Sequence, residues 1–267
     1  MDWHLLGWLA LALYAGAEAL AIRALLRPGE RSAASVLVGA GLIVHFAYLE
    51  ISARALHSVP YRTLGGSMSL FGWMLGISYV ALLYRHRERA IGPFLIPFVL
   101  LFSAAGLLLP AGGAPPAAET RGPLFALHVT FGILGYAAFT LSFVLSILYL
   151  VQDRQIRRGR TGLLFSRLPS LEVIGRMNRT TVSIGLLILG ASVLFGLMWA
   201  SRFWATLSDP KIVWAVATLA LYGFLLWMER RGWKGPRVAI LSIVGYGLVL
   251  FSYTIVNIYF SRAHAFR

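Results

Sequence analysis

The sequence predicts an all-α, polytopic transmembrane helical bundle, and three observations carry that reading. Hydrophobic residues make up 58% of the 267 positions and charged residues only 13%, about half the ~25% of an ordinary soluble domain. Eight runs are apolar over the roughly 20 residues a helix needs to cross a bilayer core. The 24 Lys and Arg are spread unevenly among the connections between those runs, as expected of a chain oriented by basic cytoplasmic loops. We expect a single integral membrane domain over residues 1–267.

The first run, 3–25, holds no Lys or Arg before Arg23. It therefore lacks the basic start of a signal peptide and reads as a span. The second (33–55) and third (64–84) are continuous. The fourth, 91–109, carries Pro93 and Pro97, which make its start the hardest boundary to place. The fifth, 124–151, is long enough to project beyond the membrane on one side. The sixth to eighth are 180–201, 211–229 and 237–260. No intervening stretch alternates as a barrel strand would. Ala111–Gly122 is rich in Ala, Gly and Pro and reads as an external loop. The connection 152–179 is the longest, and Ser170 followed by Leu171, Val173, Ile174 and Met177 suggests a short capped helix at the inner surface.

Seventeen of the 24 basic residues fall in the odd-numbered connections and seven on the other side, which places both termini outside. The same asymmetry accounts for the formal charge of +14. A chain this apolar has too little polar surface to stay soluble while presenting a basic stripe, so no nucleic-acid partner is expected. Disorder is excluded because apolar surface to bury is abundant. Without cysteine there is no disulfide, thiolate metal site or cysteine nucleophile.

With the topology drawn, the histidines divide. His86 lies in an Arg-rich inner loop and reads as solvated; His4 and His57 sit near outer helix ends, where an amphipathic ring is comfortable. His45 is in mid-span. It is either a functional intramembrane group or a neutral imidazole bonded to a neighbouring helix. His128 opens the fifth run and His264 follows the eighth, at the same depth on the outer face. Two imidazoles converging from facing helices can clamp a haem iron, although interfacial packing would also account for such a pair. Between runs six and seven, Trp199, Trp204 and Trp214 fall within sixteen residues, beside Phe203. They read as an interfacial aromatic belt or as a flat shelf for a porphyrin. Arg62, Arg121, Arg202 and Lys211 are external cations, either snorkelling at the interface or available to haem propionates.

Leu127-His128-Val-Thr-Phe-Gly-Ile-Leu-Gly135-Tyr136 resembles a segment of the cytochrome c assembly family of haem-handling membrane proteins, the CcsA, ResC and CcmC type with the HemX proteins as relatives. Arg202-Phe-Trp204, then Asp209-Pro210-Lys211 and Trp214, resembles that family's tryptophan-rich WWD signature. The run from Gly232-Trp233-Lys-Gly235 through Asn257 to His264 resembles its closing segment. Ser208 and Ile212 depart from the signature, and Trp227-Met228-Glu229 stands where a further haem-associated histidine is usual. These departures favour a HemX-like member with the external site kept. The resemblance implies haem, expected as haem b, held between His128 and His264 as iron ligands. Trp204, Trp214, Arg202 and Asp209 would lie around it, with His45 available to an inner site.

The function implied is haem binding in cytochrome c biogenesis, by a carrier or assembly factor in the cell's cytoplasmic membrane and not by a self-sufficient enzyme. Expected partners are haem, the lipid bilayer, and a cytochrome c assembly protein or a haem-biosynthesis enzyme. Two alternatives accompany it: a HemX-type regulator docking through 152–179, and a haem transporter. Only Glu18 speaks for the transporter, because Glu50 has Arg54 four residues on. Conventional catalysis lacks a phosphate-binding glycine loop, a zinc-spaced histidine pair and a convincing carboxylate dyad.

Overall fold

The computed structural model describes residues 3–27, 32–57, 59–109, 122–159, 162–203, 210–233 and 235–251. Among them all regular secondary structure is helical: α1 (Trp3–Leu26), α2 (Ala34–Ala55), α3 (Leu64–His86), α4 (Gly92–Leu108), α5 (Pro123–Arg157), α6 (Leu163–Arg167), α7 (Leu171–Phe203), α8 (Pro210–Arg230) and α9 (Pro236–Phe251). Seven of these helices are long and apolar enough to cross a membrane, so the chain is a multi-pass membrane bundle. The eighth expected run, 237–260, is described only over its first part, as the shorter α9; 252–260 lie outside the described residues.

Local chemistry sets several boundaries. Thr63 caps α3 by accepting a hydrogen bond from the Gly66 N–H at 3.0 Å. A Cβ on Gly66 would lie 2.1 Å from the Pro60 carbonyl oxygen, so the turn requires glycine. Arg87 ends α3 in the left-handed region, at φ 59°. A 3-10 turn, Arg89–Ile91, leads into α4, whose second residue is Pro93. There a missing N–H costs nothing, because first-turn amides lack an intrahelical acceptor. Pro97 is accommodated inside the helix.

One expectation is corrected. The short surface helix expected after Ser170 is not separate, because its residues form the first turns of the 33-residue α7. The stretch holding Arg176 and Arg179 falls in the connection 152–179 by its polarity, yet nothing in it interrupts a helix. Arg176 pairs with Glu172 one turn back, and Arg179 with Glu229 of α8 at 2.8 Å. At ~1.5 Å per residue, α5 and α7 are each about 50 Å long and exceed the ~30 Å hydrocarbon core.

The chain divides into two compact units, Met1–Gly113 with Arg154–Ser170, and Ala114–Asp153 with Leu171–Arg267. In the first, α1 packs on α2 and α4, and α3 on α4 and α2. Lipid tails are as apolar as the helix surfaces, so close approach through small residues and interhelical hydrogen bonds hold such a bundle. Gly41 lies under the Tyr14 ring, Gly72 against Ser103, and Gly106 against the backbone of Ser69. His45, 2% exposed, joins three helices: Nε2 lies 2.8 Å from Ser69 Oγ and Nδ1 3.3 Å from the Tyr14 hydroxyl. The Trp73 indole N–H donates to the Leu42 carbonyl at 2.9 Å.

In the second unit α5 and α7 run antiparallel. Phe125 meets Trp199, His128 meets Gly196, Gly132 meets Ser192, Gly135 meets Leu189, and Phe139 meets Gly185. Each step along α5 is matched by one back along α7. Beyond this seam Phe139 stacks on Tyr222 of α8, with ring centroids 3.8 Å apart. Buried Asn178 bridges two helices, accepting from Ser142 at 2.7 Å and donating to Ser242 at 3.2 Å.

Candidate functional site

His128 lies in the second turn of α5, half-buried, with its ring against the α7 backbone at Gly196. A Cβ at Gly196 would come within 2.5 Å of Nδ1 and 2.8 Å of Cε1, so the ring occupies the space a side chain would need. Nδ1 is 2.9 Å from the main-chain oxygen of Ser192 and 3.3 Å from its Oγ. The Ser192 hydroxyl in turn donates to the main-chain oxygen of His128 at 2.7 Å.

This geometry determines the tautomer. A carbonyl oxygen only accepts, so Nδ1 must carry the proton it shares with Ser192. The serine hydroxyl has one hydrogen, already given to the His128 carbonyl, and toward Nδ1 it too can only accept. In the neutral imidazole Nε2 is then the nitrogen with the lone pair. A histidine whose Nδ1–H is held by a backbone carbonyl is the usual form of a metal ligand, so the residues around His128 fit axial ligation of a haem iron. Phe125 and Trp199, both buried, flank it; their rings are 4.9 Å apart, with Phe125 6.4 Å from the imidazole.

Arg202, exposed, follows Trp199 by one turn near the end of α7. Trp214 is half-buried early in α8, and its carbonyl accepts from Thr218 at 2.8 Å. Trp204, Asp209 and His264 lie outside the described residues. His45 belongs to the first unit, His128 to the second. Ser192 and Gly196 were missed in the sequence, where they are two small residues of an apolar run. Among the described residues no group of three His, Asp or Glu converges as a bare metal site.

A family model described as "Cytochrome C assembly protein" matches residues 61–264, about three quarters of the chain. The chain belongs to the cytochrome c assembly protein family. It is 25% identical over 262 residues to the cytochrome c biogenesis protein CcsA of Heterosigma akashiwo, covering 84% of this chain and 81% of that one. CcsA of Mesostigma viride is 25% identical over 237 residues, with 79% and 78% covered. CcsA of Synechococcus sp. (strain CC9902) is 28% identical over 177 residues, with 57% and 58% covered. In this cytochrome c assembly protein the family match contains His128, Ser192, Gly196 and His264, and begins after Tyr14 and His45.

Proposed function

We propose that this membrane protein of cytochrome c biogenesis binds haem at the outer end of its second unit, with His128 and His264 as axial ligands. The observation that supports the reading is the contact of His128 Nδ1 with the Ser192 carbonyl at 2.9 Å, which would leave Nε2 as the coordinating atom. Haem, here haem b, would supply an iron, and His128 and His264 are the residues that would hold it. Trp204 and Trp214 form the shelf beside the ring. Arg202 pairs with a propionate, and Asp209 belongs to the same haem-binding set. The basic residues, seventeen against seven, support placing both termini and this end of α5 on the outer side of the cytoplasmic membrane. The protein holds and presents haem to an assembly partner, and bond formation belongs to the acceptor.

The test is an absorbance titration of the detergent-purified protein with hemin. The expected result is a red-shifted Soret band in the wild type and in His45→Ala, lost in His128→Ala and in His264→Ala. A folded wild type giving no shifted band, or a His128→Ala spectrum identical to wild type, overturns the reading.

A further inference from the structure

The α5–α7 seam does more at His128 than pack a ring. Three features of α7 converge on one imidazole: the Ser192 carbonyl at 2.9 Å from Nδ1, the Ser192 hydroxyl at 3.3 Å, and the missing side chain of Gly196. The first two can only accept from Nδ1. The third lets the ring lie close on the helix, because a Cβ there would come within 2.5 Å of Nδ1. The remaining Ser192 bond, Oγ to the His128 carbonyl at 2.7 Å, ties the α5 backbone to the same residue that orients its side chain. Turning the ring over would replace Nδ1–H with a carbon edge facing the carbonyl, and the Nδ1–H···O bond would be lost.

We infer that Ser192 and Gly196 are positioning residues that lock His128 with Nδ1–H against α7, so that Nε2 is its donor nitrogen, and thereby set its strength as a ligand. The inference rests on the haem reading above for its consequence but not for its geometry. Holding Nδ1–H on a carbonyl raises the electron donation of Nε2, which favours the ferric state of an iron bound there.

The test uses the full chain and two readouts. In haem-free protein labelled with [15N]histidine, the His128 resonance, assigned by its loss in His128→Gln, is expected to show Nδ1 protonated and Nε2 bare. Gly196→Ala is expected to shift that resonance and weaken hemin affinity about tenfold or more, the range found when the group behind a metal-binding histidine is altered. Ser192→Ala keeps the carbonyl and loses only the hydroxyl, so a smaller loss in the same direction is expected, with a raised midpoint potential. Gly190, on the same helix, has nothing within 4 Å of a built Cβ. Gly190→Ala is therefore the control for adding a methyl group to α7, expected to match wild type. An Nε2–H tautomer in the wild type, or Gly196→Ala indistinguishable from Gly190→Ala in both readouts, overturns the inference. Hemin binding indifferent to His128→Gln overturns the haem reading instead, and the tautomer is still read from the haem-free spectrum.

Discussion

His45 and His128 are both helix-borne imidazoles touched by a serine, and they are held in opposite ways. His45, 2% exposed, sits between two hydroxyls, those of Tyr14 and Ser69. Either hydroxyl can donate or accept, so the ring can exchange its tautomer without losing a bond. His128 is half-buried and faces a carbonyl that only accepts. The first arrangement engages both nitrogens inside the bundle and serves cohesion; the second commits Nδ1 to one role. On the proposed reading, what separates a structural histidine from a candidate ligand is whether its partners are reversible, and burial alone would rank the two the other way round.

The most severe way to break this comparison is to exchange the losses. His128→Ala is expected to abolish the shifted Soret band at little cost in stability. His45→Ala is expected to keep the band and lower stability by about 1–3 kcal/mol, the cost of orphaning buried hydroxyls, read by denaturation in mixed micelles. Next comes Gly41→Ala. Its Cβ would meet the Tyr14 ring at 2.6 Å, and overpacking of this kind costs about 1–3 kcal/mol, with hemin affinity unchanged. Tyr14→Phe keeps the ring and removes one long hydrogen bond; the expected loss is about 0.5–1.5 kcal/mol. Last, Arg54→Ala breaks an exposed pair with Glu50. Surface pairs are worth about 0–1 kcal/mol, so both readouts should stay near wild type. A hemin defect in either of the α1–α2 variants Gly41→Ala and Tyr14→Phe would collapse the distinction between the two histidines.

Much of this was legible in the sequence, since apolar runs report helices directly. The run 3–25 became Trp3–Leu26 and 33–55 became Ala34–Ala55. The helix holding the sixth run, 180–201, begins earlier, at Leu171, because Arg176 and Arg179 find carboxylate partners, and hydropathy does not see partners. The site divides likewise. His128 stood out as an imidazole at the end of an apolar run. Ser192 and Gly196 acquire meaning only through the register of α7 on α5, which no single run encodes. For the same reason the sequence offered no partner for His45; Tyr14 and Ser69 reach it from two other helices.

The glycines of that seam carry a mechanical consequence. On α5 the protruding rings of His128 and Phe139 are eleven residues apart, and the α7 hollows that receive them, Gly196 and Gly185, are eleven residues apart as well. Eleven residues are about three turns, so two pegs meet two sockets at one pitch. Sliding α7 by one turn would present Ser192 or Ala200 to the imidazole and Leu189 or Thr181 to the phenyl ring, and both pegs would jam together. A one-turn ratchet, one of the ways packed helices switch state, is closed to this pair.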